Sequence, residues 1–303
     1  MTALLSRRRL LAATAATPLL LTGAGAAAEQ RSKPIPSSGR PLPVIGMGTW
    51  ITFNVGDDPL LLERRLEVLR AFFAAGGGMI DSSPMYASAE AVVGRCLDRL
   101  GPQPGLYSAT KVWTSSAAEG RAQIARSHQL WGLPRFDLLQ VHNLQGWEAH
   151  LETLFAMKAA GELGAVGITT SHGRRHGDFE AIMASQPLDF VQLTYNPVDR
   201  EVEARLLPLA RERGIAVIVN RPFRGGRLVD QAKRAPLPAW AGEIDCRNWA
   251  QILLKYVVSH PAVTCAIPAT SQVAHMNENM GAGRGRLPDA AERRLIEEAV
   301  GTL

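Results

Sequence analysis

The sequence predicts an α/β protein built as a single barrel of eight parallel strands, with helices between the strands. Three observations support this fold class. Of the 303 residues, 46% are hydrophobic and 20% are charged, which suffices for a globular core. From Glu29 onward, short apolar strand segments alternate with amphipathic helical segments, and eight such units can be counted. Eight units in about 275 residues is the usual size of one (β/α)8, or TIM, barrel.

The eight predicted strands are short apolar runs separated by turn residues. They are Val44–Gly48, Met79–Ser83, Tyr107–Lys111, Asp137–His142, Ala165–Thr170, Phe190–Asn196, Ala216–Pro222 and Thr264–Thr270. Strands that are apolar throughout are typical of a parallel sheet covered by helices. Ahead of the first strand, the turn-rich segment Ile35–Pro43 predicts a hairpin that closes the bottom of the barrel.

The predicted helices show apolar residues at helical spacing. The first contains Leu62, Leu66, Leu69 and Phe73 and stops at three glycines, residues 76–78. The others are Ala89–Leu100, Ala118–Trp131, Glu148–Ala160, Asp178–Ser185, Val202–Arg213 and Trp240–His260. A long loop, Arg221–Pro238, follows the seventh strand, and loops of that length are usually functional.

Residues 1–28 have the pattern of an export signal and are excluded from the barrel. Three arginines, Arg7 to Arg9, precede an Ala-rich and Leu-rich run that ends in three alanines, Ala26 to Ala28. This order is typical of a twin-arginine signal with an A-x-A cleavage site, so the domain is expected to span residues 29–303. The alternative is an uncleaved anchor or tail. The signal implies the twin-arginine export machinery as a partner, a periplasmic or otherwise exported protein, and no membrane segment after cleavage.

Composition excludes several classes of protein. The 33 Lys and Arg against 28 Asp and Glu give a net charge of +5, which becomes +2 when the three leader arginines are removed. So small a charge argues against nucleic-acid binding. The three cysteines are too few and too far apart for a disulfide scaffold or a metal pattern, although export leaves a disulfide open. His172 and His176 have a chelating spacing, but the two arginines between them oppose a cation, so no metal is expected.

Four polar residues stand at or just beyond the ends of three consecutive predicted strands. Asp81, Lys111 and His142 lie at the ends of the second, third and fourth strands, and Tyr86 follows Asp81 by five residues. The C-terminal strand ends form the active site of a (β/α)8 barrel. Each residue alone has a structural explanation, such as a helix cap or a core hydrogen bond. Those explanations do not predict that all four share one location, so we interpret them as a catalytic group.

The segment around Asp81 and Tyr86 resembles the most specific signature of the aldo/keto reductase family, here Gly78-Met79-Ile80-Asp81-Ser82-Ser83-Pro84-Met85-Tyr86-Ala87-Ser88-Ala89-Glu90 followed by Gly94. Two further segments resemble that family's lysine and histidine motifs, Ser108-Ala109-Thr110-Lys111 and Asp137-Leu138-Leu139-Gln140-Val141-His142. The resemblance extends from about Ile35 to the C-terminus. It implies a reductase that uses NAD(P)H to convert a small carbonyl substrate to an alcohol.

The resemblance also implies a role for each of the four residues. Hydride transfer to a carbonyl builds negative charge on its oxygen, so a proton donor is needed there, and Tyr86 is the implied general acid. Because a free tyrosine has a pKa of about 10, Lys111 is expected to lower that pKa by stabilising the phenolate. Asp81 would neutralise and orient the buried Lys111. His142 would hydrogen-bond the substrate oxygen.

The implied cofactor contacts come from several strand ends. Gln192 matches the glutamine that holds the nicotinamide amide, whereas Asn220 stands where many relatives place a stacking tyrosine. The loop after the seventh strand could wrap the pyrophosphate with backbone donors and the charge of Arg224. The remaining implied cofactor-binding positions are Thr49, Trp50, Thr169, Thr170, Pro222, Phe223, Gly225, Thr270, His275, Glu278 and Asn279.

The eighth-strand segment bears on which cofactor is used. Relatives that select NADP(H) usually carry a lysine and an arginine where this chain has Ala269 and His275, while Glu278 and Asn279 retain the adenine contacts. NADP(H) is the expected cofactor and NAD(H) the alternative, with discrimination that should be weak at pH 8 and grow as the histidine protonates towards pH 6.

Two other functions remain open at this point. One is a non-catalytic nicotinamide-binding barrel that acts as a redox sensor or regulates a partner, which the missing stacking tyrosine would suit. The other is an acid/base hydrolase on the same fold that uses Asp81 and Glu90. The substrate itself cannot be read from the sequence, because specificity in such barrels resides in loops, here residues 51–58, 112–119 and 224–238.

Overall fold

The computed structural model describes residues 29–303, and the predicted export signal, residues 1–28, lies outside them. The described residues contain ten strands: β1 Ser32–Pro34, β2 Pro41–Pro43, β3 Met47–Gly48, β4 Met79–Asp81, β5 Tyr107–Val112, β6 Phe136–Val141, β7 Leu163–Thr169, β8 Phe190–Thr194, β9 Ala216–Asn220 and β10 Val263–Ala266. Strands β3 to β10 form one parallel sheet in chain order. Parallel bridges from Ile45 to Ala266 and from Gly48 to Ala269 join its two edges. The predicted (β/α)8 barrel is therefore confirmed.

Ten α-helices lie between or after these strands. They are α1 Pro59–Ala74, α2 Ala89–Leu100, α3 Ala117–Trp131, α4 Trp147–Ala159, α5 His176–Ser185, α6 Leu206–Arg213, α7 Arg227–Ala232, α8 Trp249–Ser259, α9 Val273–Gly281 and α10 Ala290–Gly301. Short 3₁₀ turns cover Pro84–Tyr86, His142–Leu144, Glu201–Glu203 and Ala239–Ile244. Among these residues, no helix is both long enough and apolar enough to span a bilayer.

Two predicted helices were wrong in extent. The predicted helix Trp240–His260 is interrupted, because Asp245 takes a left-handed backbone conformation with φ of 53° and the Asn248 side chain starts α8 by accepting the Gln251 N–H. The predicted helix Val202–Arg213 begins only at Leu206, since its first residues form a 3₁₀ turn. In both places the apolar periodicity of the sequence continues across the break.

Helix ends elsewhere follow the expected local chemistry. Asp58 caps α1 by accepting the N–H groups of Leu60 and Leu61, ahead of Pro59 in the first turn. Asp289 and Glu292 form a reciprocal capping box at the start of α10. Such caps stabilise a helix by about 1 kcal/mol each, because they satisfy N–H groups that the helix itself leaves unpaired.

The hairpin of β1 and β2 closes the bottom of the barrel, as predicted. Its two strands pair antiparallel, with Lys33 opposite Leu42. Buried Ile35 and Leu42 pack against a cluster inside the barrel that consists of Met79, Tyr107, Ala109, Leu138, Ala165, Phe190, Ala216, Ile218, Cys265 and Ile267. The Lys33 ammonium donates to the carbonyls of Val258 and His260 at 2.8 and 3.0 Å, which fastens the hairpin to the end of α8.

A second, larger apolar layer lies between the strands and the surrounding helices. All three cysteines are buried in the protein and none is bonded to another. Burial raises the pKa of the Cys96 thiol to about 11 and those of Cys246 and Cys265 to about 12. They are packing residues held as thiols, so the disulfide left open by the sequence is not present.

Candidate active site

The four residues singled out from the sequence meet at the C-terminal end of the barrel. Asp81 is the last residue of β4, Lys111 lies near the end of β5, and His142 directly follows β6. Parallel pairing brings Asp81 beside Ala109 and Lys111 beside Gln140, so these strand ends lie next to one another. Tyr86 ends the short 3₁₀ turn that follows β4.

Asp81 and Lys111 form an ion pair inside the barrel. The Lys111 Nζ lies 2.5 Å from Asp81 Oδ2 and donates a second bond to the Ser82 carbonyl at 2.7 Å. Burial lowers the pKa of Lys111, but the charges of Asp81 and Tyr86 outweigh burial, so its pKa is raised overall. Lys111 is therefore a fixed positive charge at neutral pH.

Two glutamines hold the second oxygen of Asp81. Gln140 Nε2 and Gln192 Nε2 donate to Asp81 Oδ1 at 3.0 and 2.9 Å, and Gln192 also donates to Gln140 Oε1 at 3.2 Å. Gly167 provides the space, because a Cβ there would lie 3.2 Å from Gln140 Cγ and 2.8 Å from the Phe190 carbonyl oxygen. The sequence did not assign Gln140 to the site. Its position two residues before His142, on the same strand face, is the signal that could have found it.

Tyr86 lies against both Lys111 and His142. The Lys111 Nζ is 5.2 Å from the centre of the Tyr86 ring, and the ring meets the His142 ring edge to face at 5.8 Å. Burial raises the pKa of Tyr86, and the Lys111 charge opposes that rise without cancelling it. The lowered pKa expected from the sequence is thus wrong for this state of the protein, because loss of solvation exceeds the ammonium's effect. Tyr86 holds its proton at neutral pH.

His142 is a neutral imidazole whose orientation is set by Ser83. Burial, aided by the Lys111 charge, lowers the pKa of His142 to about 3. Ser83 Oγ lies 2.9 Å from His142 Nδ1 and already accepts the Met85 N–H at 3.2 Å. In the tautomer in which the Ser83 hydroxyl donates to Nδ1, the ring proton lies on Nε2. A neutral Nε2–H donor suits a carbonyl oxygen.

Glu90 lies outside this group. It is buried between α2 and α3, where it accepts bonds from Thr110, Ser127 and Trp131 at 2.7, 3.1 and 3.1 Å. These bonds place Glu90 behind β5, whereas Asp81 points into the barrel. The hydrolase hypothesis required Asp81 and Glu90 to act on one substrate, and the structure does not bring them together.

The predicted cofactor-binding residues near β3 and β7 differ in how far their side chains are buried and hydrogen-bonded within the protein. Thr49 is buried and donates to the Asp81 carbonyl at 3.0 Å, whereas Trp50 is 44% exposed at the open end of the barrel. Thr169 accepts the Asn143 N–H at 3.0 Å. The Thr170 hydroxyl donates to the Arg174 carbonyl at 2.5 Å, which leaves only its acceptor capacity for a ligand.

Gln192 retains a suitable acceptor for a carboxamide ligand. Its Nε2 is occupied by Asp81 and Gln140, but the nearest donor to its Oε1 is the Asn220 amide at 3.4 Å. Asn220 is tied to the strand ends, since it donates to the Thr170 carbonyl at 2.9 Å and accepts from Thr194 at 2.7 Å. The residues that would hold a nicotinamide amide are therefore present, without an aromatic face at position 220.

The remaining predicted cofactor residues lie in the loops after β9 and β10. Of the first loop, Pro222 is buried, Phe223 half-buried and Gly225 exposed. In the second, Thr270 is buried and precedes α9, which carries exposed His275 and, one turn later, half-buried Glu278 and buried Asn279.

The structure offers no metal-binding cluster in its described part. Within residues 29–303, no three His, Cys, Asp or Glu side chains come together as ligands, and this includes the surroundings of His172 and His176. A cavity of about 450 Å³ lies at the bottom of the barrel, lined largely by Gly and Pro together with Arg40 and Phe73. We place the candidate active site at the opposite, C-terminal end of the barrel, where the charged and hydrogen-bonding side chains lie together.

Comparison with known proteins identifies relatives across most of the chain. Residues 44–298 match the model of the aldo/keto reductase family. Methylglyoxal reductase YeaE of Escherichia coli is 26% identical over 264 residues, which cover 85% of this chain and 91% of that protein. An NADH-specific methylglyoxal reductase of the same organism is 26% identical over 237 residues, covering 65% and 68%.

The solved structures share the fold. An aldo/keto reductase from Klebsiella pneumoniae, solved in complex with NADP and acetate, superposes with a TM-score of 0.72 at 23% identity. The match covers 86% of this chain and 93% of that one.

Proposed function

The chain belongs to the aldo/keto reductase family, and on that premise we propose that it reduces a small aldehyde or ketone to the alcohol with hydride from NAD(P)H and a proton from Tyr86. One observation carries this proposal. Lys111 lies between Asp81, at 2.5 Å, and the ring of Tyr86, at 5.2 Å, at the C-terminal end of the barrel. A protonated phenol beside a buried ammonium can donate its proton to the reduced carbonyl oxygen, and the ammonium then stabilises the phenolate.

Each residue has a defined task in this proposal. Tyr86 holds the proton that the reduced oxygen accepts, and its raised pKa keeps that proton bound at neutral pH. When Tyr86 gives up the proton, the adjacent Lys111 charge stabilises the phenolate. Asp81, held by two glutamines, keeps Lys111 charged and in place. Neutral His142 donates from Nε2 to the same substrate oxygen and so orients the carbonyl.

The cofactor fits the donors and acceptors at the strand ends. Gln192 Oε1, whose bond from the Asn220 amide is 3.4 Å long, and the strand-end position of Thr170 suit the carboxamide of a nicotinamide, whose reduced ring would supply the hydride. Trp50, Pro222, Phe223 and Gly225 would border it.

NADP(H) is proposed with NAD(H) as a second cofactor of comparable affinity. Ala269 and His275 replace the two cations that would grip the 2′-phosphate, which favours weak discrimination. The relatives agree with both cofactors, since the Klebsiella protein was solved with NADP and one Escherichia coli relative is named NADH-specific.

Steady oxidation of NADPH and NADH with a panel of small aldehydes and ketones tests the activity. The proposal expects turnover that depends on both the carbonyl and the cofactor. Cofactor binding with no turnover of any carbonyl would favour the redox-sensor alternative, which the complete set of Asp81, Tyr86, Lys111 and His142 argues against.

Export through the twin-arginine route is proposed from residues 1–28. Replacing Arg7 and Arg8 together with Lys should leave an active enzyme in the cytoplasm, since all strands of the barrel come from residues after position 29. Cell fractionation measures this, and normal export of the double variant would contradict the assignment.

A further inference from the structure

The short 3₁₀ turn that begins at His142 has a left-handed backbone. The Gln145 N–H donates to the His142 carbonyl at 3.2 Å, and the two residues between them, Asn143 and Leu144, have φ of 53° and 58°. Positive φ at both central positions is typical of a type I′ turn, which favours asparagine first and glycine second. Leu144 therefore stands where glycine would be favoured, directly beyond the residue that binds the substrate oxygen in the proposed function.

Neighbouring groups hold Leu144 in this conformation. A leucine in the left-handed region is strained, and such strain persists only where the surrounding structure imposes it. The Leu144 side chain is buried in the apolar layer between the strands and the helices. The Asn143 N–H donates to Thr169 Oγ1 at 3.0 Å, at the end of β7. These contacts fix the Leu144 side chain and one N–H group of the turn, but they do not involve its carbonyl groups.

Arg175, the residue that precedes α5, binds the carbonyl side of the turn. Its Nη1 donates to the Leu144 carbonyl at 3.2 Å and lies 3.5 Å from the Asn143 carbonyl oxygen. Its Nε donates to Asp178 Oδ2 at 2.8 Å, in the first turn of α5. Both side chains of that ion pair are exposed, so the pair itself contributes little to stability, but it restricts the position of the guanidinium. A charged donor from the next strand–helix unit thus holds the strained backbone.

The turn bears on the candidate active site because His142 is its first residue. His142 Nδ1 lies 2.9 Å from Ser83 Oγ, and its ring meets the Tyr86 ring edge to face at 5.8 Å. Ser83 can hold the ring only while the backbone of His142 stays in place. If Leu144 relaxed to negative φ, the hydrogen bond that closes the turn would break, and the backbone that carries the ring would be free to move.

We propose that Arg175 is a positioning residue, which holds the turn after His142 and thereby keeps the His142 ring at Ser83 and Tyr86. Loss of Arg175 removes the hydrogen bond that offsets the strain at Leu144, so the turn relaxes. The inference rests on the proposed function for the role of His142 in turnover. Its test therefore also observes the His142 ring directly, so that the two can fail separately.

The position of the His142 ring can be observed by NMR. Arg175→Met removes the donor and keeps an unbranched side chain. The histidine rings of the protein are isotope-labelled, and the His142 signal is identified by its loss in His142→Ala. Because the Tyr86 ring lies 5.8 Å away, its ring current makes that signal sensitive to the relative position of the two rings. We expect the His142 signal to shift or broaden in Arg175→Met.

Arg205→Met is the matched control. Arg175 and Arg205 each directly precede a helix, and both side chains are 46% exposed. Arg205 pairs with Glu180 and Glu212 instead of binding the turn. The control variant should leave the His142 signal and turnover as they are in the wild type.

Turnover measures the consequence for the reaction. Arg175→Met should lower kcat/KM for the best aldehyde of the panel about tenfold, which corresponds to about 1.4 kcal/mol of transition-state stabilisation, while Kd for NADPH is unchanged. In the His142→Ala background, Arg175→Met should cause no further loss, because the residue that it positions is absent. Arg175→Lys keeps a charged donor and should show smaller effects of both kinds, and it replaces Arg175→Met if that variant does not fold.

Three results would overturn the proposal. They are a His142 signal in the folded Arg175 variant that equals that of the wild type, an equal shift of that signal in Arg205→Met, and a loss of turnover in Arg175→Met that is the same with and without His142. A shifted His142 signal with unchanged turnover would support the positioning of the ring by Arg175. It would instead contradict the role that the proposed function gives to His142.

Discussion

Asp81→Asn isolates the electrostatic part of the site, because it removes one charge and keeps the shape of the side chain. The Lys111 side chain is 0% exposed and that of Asp81 is 2% exposed. After the substitution, Lys111 keeps its bond to the Ser82 carbonyl at 2.7 Å but has lost its carboxylate. A buried ammonium without a counterion is the expected result.

The loss of stability can be estimated from the burial of the pair. Removing one partner of a buried ion pair destabilises a protein by about 3–5 kcal/mol. The native pair keeps the pKa of Lys111 raised, because Asp81 and Tyr86 outweigh burial. In the variant, the largest remaining influence on Lys111 is burial, which lowers its pKa. We therefore expect the full loss of unfolding free energy at pH 6. At that pH Lys111 either stays charged without a counterion in the folded variant or must release a proton when the chain folds.

The loss should shrink as the pH rises. In the variant, the folded-state pKa of Lys111 lies below the value of about 10.4 for an unfolded lysine, so the unfolded chain binds more protons between these two values. The unfolding free energy of the variant then rises with pH, by up to about 1.4 kcal/mol per pH unit, towards that of the wild type. The wild-type Lys111 contributes no such slope below pH 10, since its folded-state pKa is raised.

Urea unfolding at pH 6, 7, 8 and 9 measures the difference between wild type and variant. Asp189→Asn is the control, because it removes a carboxylate from Lys158, whose side chain is 37% exposed and stays hydrated. Its effect should not change over this pH range. Adding Lys111→Met to Asp81→Asn should recover most of the lost stability. A loss from Asp81→Asn below about 1 kcal/mol, or one that is constant from pH 6 to 9, would refute the reasoning.

Two further predictions concern packing and cofactor choice. Gly94→Ala should destabilise the protein by about 3 kcal/mol or more, because the added Cβ of the alanine would lie 1.8 Å from the Leu130 carbonyl oxygen. Gly177→Ala, with no atom within 4 Å of the added Cβ, should be neutral or slightly stabilising in the same thermal unfolding measurement. His275→Arg should raise the preference for NADPH over NADH, because exposed His275 stands where relatives that select NADP(H) carry an arginine that grips the 2′-phosphate. Equilibrium titration of both cofactors on wild type and variant checks this, and an unchanged preference in His275→Arg would contradict it.

The sequence was sufficient to predict the barrel fold and the shared location of the candidate catalytic residues. The C-terminal ends of all strands lie at the same end of a parallel barrel. Strand segments that end in Asp81, Lys111 and His142 therefore predict that these three residues lie close together. Gln140 was not assigned a role, since a single polar residue inside an apolar strand gives no indication of which partner it meets. Its contact with Asp81 depends on space left by Gly167 on the next strand.

Features that depend on tertiary contacts were harder to predict. The break at Asp245 interrupts an apolar pattern that continues on both sides, and the Asp245 carboxylate is held by the Arg286 N–H at 2.9 Å from a distant segment. The direction in which the pKa of Tyr86 shifts depends on the balance between its burial and the charge of Lys111. Neither the burial nor the distance to Lys111 can be obtained from the order of the residues.

The central claim is that Tyr86 donates the proton in carbonyl reduction, and Tyr86→Phe tests it most directly. Turnover of the best aldehyde from the panel and the dissociation constant of NADPH should be measured on the same preparation. The account predicts that turnover falls by at least about 10²-fold, the usual contribution of a positioned acid, while NADPH binds as tightly as before. Unchanged turnover with intact cofactor binding would contradict it and would remove Tyr86 from the reaction.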